Sequence, residues 1–143
     1  MKQPRLIDLQ KEHLVDKGIL KDFLRQIVGS VPEADDRGFT VALVPDDRMR
    51  QLNHLFRGKD ITTDVLSFPH EPDEFDPDKA NLGDIVISAG QAQKQAAENG
   101  LSLEGEIKQL ILHGVLHLCG YDHETDNGEM NERELELRER LQL

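Results

Sequence analysis

The sequence predicts an α+β domain, and three observations carry that reading. Phe39 to Val44, Thr62 to Phe68 and Leu82 to Ser88 are short runs rich in β-branched residues, the signature of strands. Several other stretches repeat apolar residues at helical spacing. The two kinds of segment do not alternate strictly, as a doubly wound parallel sheet would require. At 143 residues, two cores would leave each half too small to be stable, so residues 1–143 are expected to form one domain.

In order along the chain, Leu6 to Leu9 reads as a short edge strand, followed by a helix over about 17–29 with Ile19, Leu20, Phe23, Leu24 and Ile27 on one face. Gly29 and Pro32 close it. After the 39–44 strand, Asp46 is placed to cap a helix over about 47–56, with Leu52 and Leu55 expected to face inward. Pro69 ends the 62–68 strand, and the acidic, proline-broken segment from His70 to Asp78 reads as a solvated loop. In the 82–88 strand, Ile85 and Ile87 share one face and Val86 takes the other. An Ala- and Gln-rich helix over 89–98 stops at Asn99-Gly100. A central helix runs from Leu103 to Cys119 between a Ser102 cap and a Gly120 stop. The last helix is expected to start at Asp126, with Glu129 completing a capping box and Met130, Leu137 and Leu141 on one face.

Composition narrows the function. No apolar run approaches the roughly 20 residues that cross a bilayer, and the first residues lack the apolar block of a signal peptide. Cys119 is the only cysteine, so an intramolecular disulfide is impossible. A cytoplasmic protein with no membrane partner is expected. The net charge of −11 argues against coating nucleic acid by bulk electrostatics, and DNA is not an expected partner. The charge is uneven: residues 1–59 hold 11 Lys and Arg against 9 Asp and Glu, whereas residues 60–143 hold 6 against 19. A polyanion would therefore have to meet local cations, such as Arg48, Arg50, Arg57 and Lys59, or a bound metal.

The chemistry concentrates in the central helix. Leu103, Ile107, Leu110, Ile111 and Leu118 form one apolar stripe, and Leu112, Leu116 and Cys119 make the opposite side apolar too. The remaining polar band is Glu106, Gln109, His113 and His117. Two imidazoles four residues apart can converge on one ion, and Gly120 permits a left-handed turn that returns His123 as a third ligand. Three protein ligands with a fourth position open is the catalytic zinc pattern, so one zinc per chain on His113, His117 and His123 is expected. Cys119 points away from the histidines and reads as a small core residue. The spacing matches the ligand layout of metzincin metalloproteases, except that Gly114 stands where those enzymes carry their catalytic glutamate. That weakens a peptidase reading without touching the metal geometry. A metal serving only structure in an RNA-binding factor is the other alternative.

The segment His113-Gly114-Val115-Leu116-His117-Leu118-Cys119-Gly120-Tyr121-Asp122-His123 resembles the signature of the YbeY family of bacterial endoribonucleases. Phe56-Arg57-Gly58-Lys59-Asp60 with Thr63 to Pro69, and Leu82 to Ser88, resemble its other conserved blocks, and the similarity spans roughly residues 38–140. The resemblance implies a small mixed β-sheet packed with several helices, a zincin-like site on the central helix, and zinc-dependent cleavage of single-stranded RNA. It further implies a role in small-subunit (16S) ribosomal RNA 3′-end maturation and late ribosome quality control, with ribosomal RNA and the small ribosomal subunit as partners. Carried over by position, His113, His117 and His123 are the ligands, and Arg57 and His113 take the catalytic roles. A guanidinium at Arg57 would grip a phosphate bidentately, with Lys59 adding a nearby charge; a salt bridge from Arg57 to Asp60 or Asp64 is the alternative. Asp122 is placed to orient a ligand ring or accept a proton, or else to cap a helix or stabilise the turn.

Overall fold

The computed structural model describes residues 3–35, 37–71, 75–76 and 80–143. Among these, strands β1 (Arg5–Asp8), β2 (Gly38–Val44), β3 (Val65–Pro69) and β4 (Asn81–Ser88) form one sheet in the order β1-β2-β4-β3. β1 and β2 pair in parallel, as do β2 and β4, while β3 runs antiparallel to β4. The sheet is therefore mixed, as expected. Five helices complete the described fold: α1 (Lys17–Ser30), α2 (Asp46–Arg57), α3 (Ala89–Asn99), α4 (Leu103–Leu118) and α5 (Glu129–Leu141).

Alternation along the strands assigns the two faces. Phe39, Val41 and Leu43 of β2 and Ile85 and Ile87 of β4 join the main core with α1 and α4, while Ala42, Val44, Leu66 and Val86 turn to the other face and meet Met49 and Leu52 of α2. α4 packs against α1, α3, α5, β3 and β4, and so is central to the molecule. Its Ile107, Ile111, Leu112, Val115 and Leu116 are fully buried, which fits a helix apolar nearly all round.

Glycine allows α4 to lie this close to the sheet. A Cβ on Gly114 would sit 2.9–3.1 Å from three side-chain carbons of Ile85. Gly83, with φ +140°, faces the main chain of Phe68 and Pro69 so closely that a Cβ would fall 2.4 Å from the Phe68 carbonyl oxygen.

Four details depart from expectation. Leu55 is 72% exposed, and Met49 and Asn53 are the buried residues of α2, because the helix rotates its Met49 edge onto Val44 and Leu66. Asp46 is the first residue of α2 rather than its cap; its carboxylate accepts hydrogen bonds from Thr62 Oγ1, Ser88 Oγ and Gln91 Nε2. β3 begins at Val65 rather than Thr62, since Asp64 Oδ1 accepts from the Val65 N–H and Thr62 is tied through its hydroxyl to Asp46. α5 begins after Gly128, in a left-handed conformation; Asp126 still serves the helix start by accepting from the N–H groups of Gly128 and Met130. Of the expected acidic loop, residues 72–74 and 77–78 lie outside the described residues; His70 Nε2 sits 2.8 Å from Asp76 Oδ2.

Candidate metal centre

α4 presents His113 and His117 on its polar band, one turn apart. The helix ends at Leu118, Gly120 takes φ +102°, and the N–H of Tyr121 returns to the Leu116 carbonyl at 3.1 Å. This reversal delivers His123 onto the two helical rings. Ring centroids lie 4.8 Å apart for His113 and His117, 5.5 Å for His113 and His123, and 5.3 Å for His117 and His123. One ligand nitrogen from each ring falls within 4.8 Å of the others, a set able to hold a metal ion. The donor chemistry fits a borderline-soft ion such as zinc, for which neutral imidazole is a preferred ligand.

Two features prepare the rings for that task. His113 Nδ1 is 2.8 Å from Glu134 Oε1 on α5, so the ring keeps Nε2 for an ion. Glu134 is buried, and its other oxygen accepts from Arg138 Nη2 at 3.2 Å. Burial alone would raise its pKa, yet hydrogen bonding to His113 and the charges of His113 and Arg138 hold it below the usual value. His117 is pushed below its ordinary pKa by burial and then by the neighbouring His113 and His123, which favours the neutral form that can ligate.

The loop carrying His123 is anchored from outside. Tyr121 donates its hydroxyl to Glu33 Oε2 at 3.0 Å, and Arg133 of α5 grips the same carboxylate through Nε at 2.7 Å and Nη2 at 3.0 Å. The Arg133 guanidinium holds the Glu33 carboxyl down at about 2.

An open cavity of about 620 Å³ is lined by all three histidines together with Arg57, Ser67 and Asp122. Arg57, expected just past its helix, is the last residue of α2 and is exposed. It makes no ion pair with Asp60 or Asp64: Asp60 pairs with Arg50 at 2.9 Å, and Asp64 accepts from Gln95 at 3.2 Å. Lys59 does not line this cavity. Asp122 takes the turn role, accepting from the Glu124 N–H at 3.0 Å. Cys119 packs beside the main core, and burial pushes its thiol up to about 11, which suits a core residue rather than a ligand.

The sequence profile described as "Endoribonuclease YbeY" matches residues 6–142. The chain belongs to the YbeY endoribonuclease family. Endoribonuclease YbeY of Nautilia profundicola is 50% identical over 108 residues, 76% of this chain and 75% of that protein. The protein of the same name from Nitratiruptor is 42% identical over 136 residues, covering 94% of this chain and 88% of its own. Among solved structures, a solution structure of a Thermotoga maritima protein aligns with a TM-score of 0.62 at 31% identity, over 96% of this chain and 88% of that one.

Family membership and packing together explain the departure from the metzincin pattern. In this YbeY-family chain the Gly114 position faces Ile85 of β4, leaving no room for a glutamate side chain. Glu134 is the site residue that sequence reasoning missed. A signal was present: Met130, Glu134, Leu137 and Leu141 lie on one helical stripe, and a carboxylate among apolar residues implies a buried partner.

Proposed function

We propose that residues 1–143 form one zinc-dependent endoribonuclease domain that cleaves single-stranded RNA, acting in the cytoplasm on small-subunit (16S) ribosomal RNA during 3′-end maturation and late ribosome quality control. The observation that carries this reading is the shared cavity, where Arg57 and three convergent histidines face the same open space. Membership of an endoribonuclease family supplies the substrate class, and the open geometry suits a strand that is not paired.

His113, His117 and His123 would hold the zinc, with His113 also part of the reacting centre. Bound there, the ion supplies Lewis-acid charge to phosphoryl oxygens. Arg57 grips the scissile phosphate through its planar fork and stabilises charge as it develops on the oxygens. Glu134 keeps the His113 ring oriented through Nδ1. Such local cationic help is needed because the chain as a whole carries a charge of −11.

Elemental analysis of the purified protein and of His117→Ala, paired with cleavage of single- and double-stranded RNA, tests the reading. The expected result is one zinc per chain, lost in the variant together with cleavage, and no attack on the duplex. Full zinc in His117→Ala, or cleavage by metal-free protein, would overturn it.

A further inference from the structure

The polar band of α4 extends beyond the metal centre. Glu106 and Gln109 continue the line of His113 and His117, and neither takes part in holding the ion. They open into a second cavity of about 400 Å³, lined also by Asp64, Gln95, Asn99 and Arg138. His113, Asp64 and Val65 line both cavities, so the two spaces adjoin along one face. Gln109 lies one turn, about 6 Å of helix rise, from His113, which is the reach of one nucleotide along an extended strand.

The lining carries unused hydrogen-bonding capacity. Gln95 donates to Asp64 Oδ2 at 3.2 Å and Asn99 to Glu106 Oε2 at 3.3 Å, and each keeps an amide oxygen without a partner among the described residues. Gln109 makes no side-chain hydrogen bond with the described residues, so its donor and acceptor are both available. The Nε of Arg138 is buried with no acceptor. Phosphate is a poor occupant: Asp64 and Glu106 bring negative charge, and Arg138 is already paired with Glu134 at 3.2 Å.

We infer that this second cavity is a nucleobase subsite, which receives the base next to the scissile phosphate and favours a base carrying an exocyclic amine. Bases splayed from a single strand are read by hydrogen bonds to their edges. An amide pairs with adenine through both its groups, and a carboxylate accepts from the amine of cytosine. Uracil presents a carbonyl at that edge and would set its lone pairs against Asp64 and Glu106. The inference rests on the endoribonuclease reading and deepens it.

The test uses the zinc-loaded protein and short single-stranded RNAs that differ only in the nucleotide flanking the cleaved bond. Wild type should cleave the substrates with an amine-bearing base about tenfold faster in kcat/KM than the uracil substrate. Gln109→Ala and Gln109→Leu, both favourable in a helix, should keep zinc and melting temperature while losing most of that preference through a rise in KM. Equal cleavage of all four substrates by wild type, or an unchanged preference in both variants, would overturn the subsite while leaving the endoribonuclease reading intact. Loss of zinc or of folding in both variants would also overturn it, marking Gln109 as structural. A wild type that cleaves no RNA would sink the functional reading, and the subsite with it.

Discussion

Glu134 Oε1 lies 2.8 Å from His113 Nδ1, joining the last helix to the first ligand of the candidate metal centre. The pair commits one imidazole nitrogen to the protein and leaves the other open to a metal ion, a carboxylate–histidine arrangement that fixes ring orientation.

Glu134→Ala should therefore weaken metal binding by about 10- to 100-fold, with Glu134→Gln nearer the lower figure because its amide oxygen can still accept. Competition with a chelator of known affinity reads this directly, without reference to catalysis. Unchanged affinity in both variants would reduce the contact to a packing interaction.

Arg57 offers no metal-compatible atom and has no ion-pair partner among the described residues, so its removal separates chemistry from metal binding. Arg57→Ala should keep zinc content and melting temperature near wild type while lowering cleavage by about 10²–10³-fold, the usual loss for a donor that acts on the transition state. Arg57→Lys should recover only part of the rate, since an ammonium keeps the charge but not the bidentate fork. Wild-type cleavage by Arg57→Ala would make the residue a bystander.

Gly114→Ala should destabilise the fold by about 1–3 kcal/mol through overpacking, because its Cβ would meet Ile85 at 2.9–3.1 Å. Adding Ile85→Ala should recover part of the loss associated with Gly114→Ala, since the second change removes the atoms that clash. Denaturant melts of the two single variants and the double variant provide the cycle; strict additivity would show that the two positions do not compete for space.

The Glu33 carboxylate, held at about 2 by Arg133, contributes a pH-dependent share of stability. Its folded pKa lies below the ordinary value of 4.5, so the contribution is full above pH 4.5 and fades as pH falls toward 2. Glu33→Gln should cost about 1–3 kcal/mol at pH 7, allowing for partial solvent screening of the pair. The gap from wild type should close as pH drops through that window, as thermal melts at pH 7, 4 and 2.5 would reveal. A gap independent of pH would assign the cost to packing.

Local periodicity determined much of this protein in advance. His113 and His117 converge because residues four apart on any helix are neighbours, and Ser102 caps α4 as expected by accepting from the Gly105 N–H at 3.0 Å. Ile85 and Val86 take opposite faces because a strand alternates, whatever surrounds it. Relations between elements were decided only by tertiary packing. Nothing local brings Glu134 to His113 across 21 residues, tells which edge of α2 is buried, or sets Arg57 in the lining of the cavity it shares with the histidines while leaving Lys59 out of it. Periodicity specifies which side chains share a face of one element, whereas the angle and rotation at which two elements meet depend on how all their side chains interdigitate. The three convergent histidines, which lie within one helix and its closing turn, were therefore legible in the sequence as a cluster, and the carboxylate that holds the His113 ring became visible only once α5 had packed against α4.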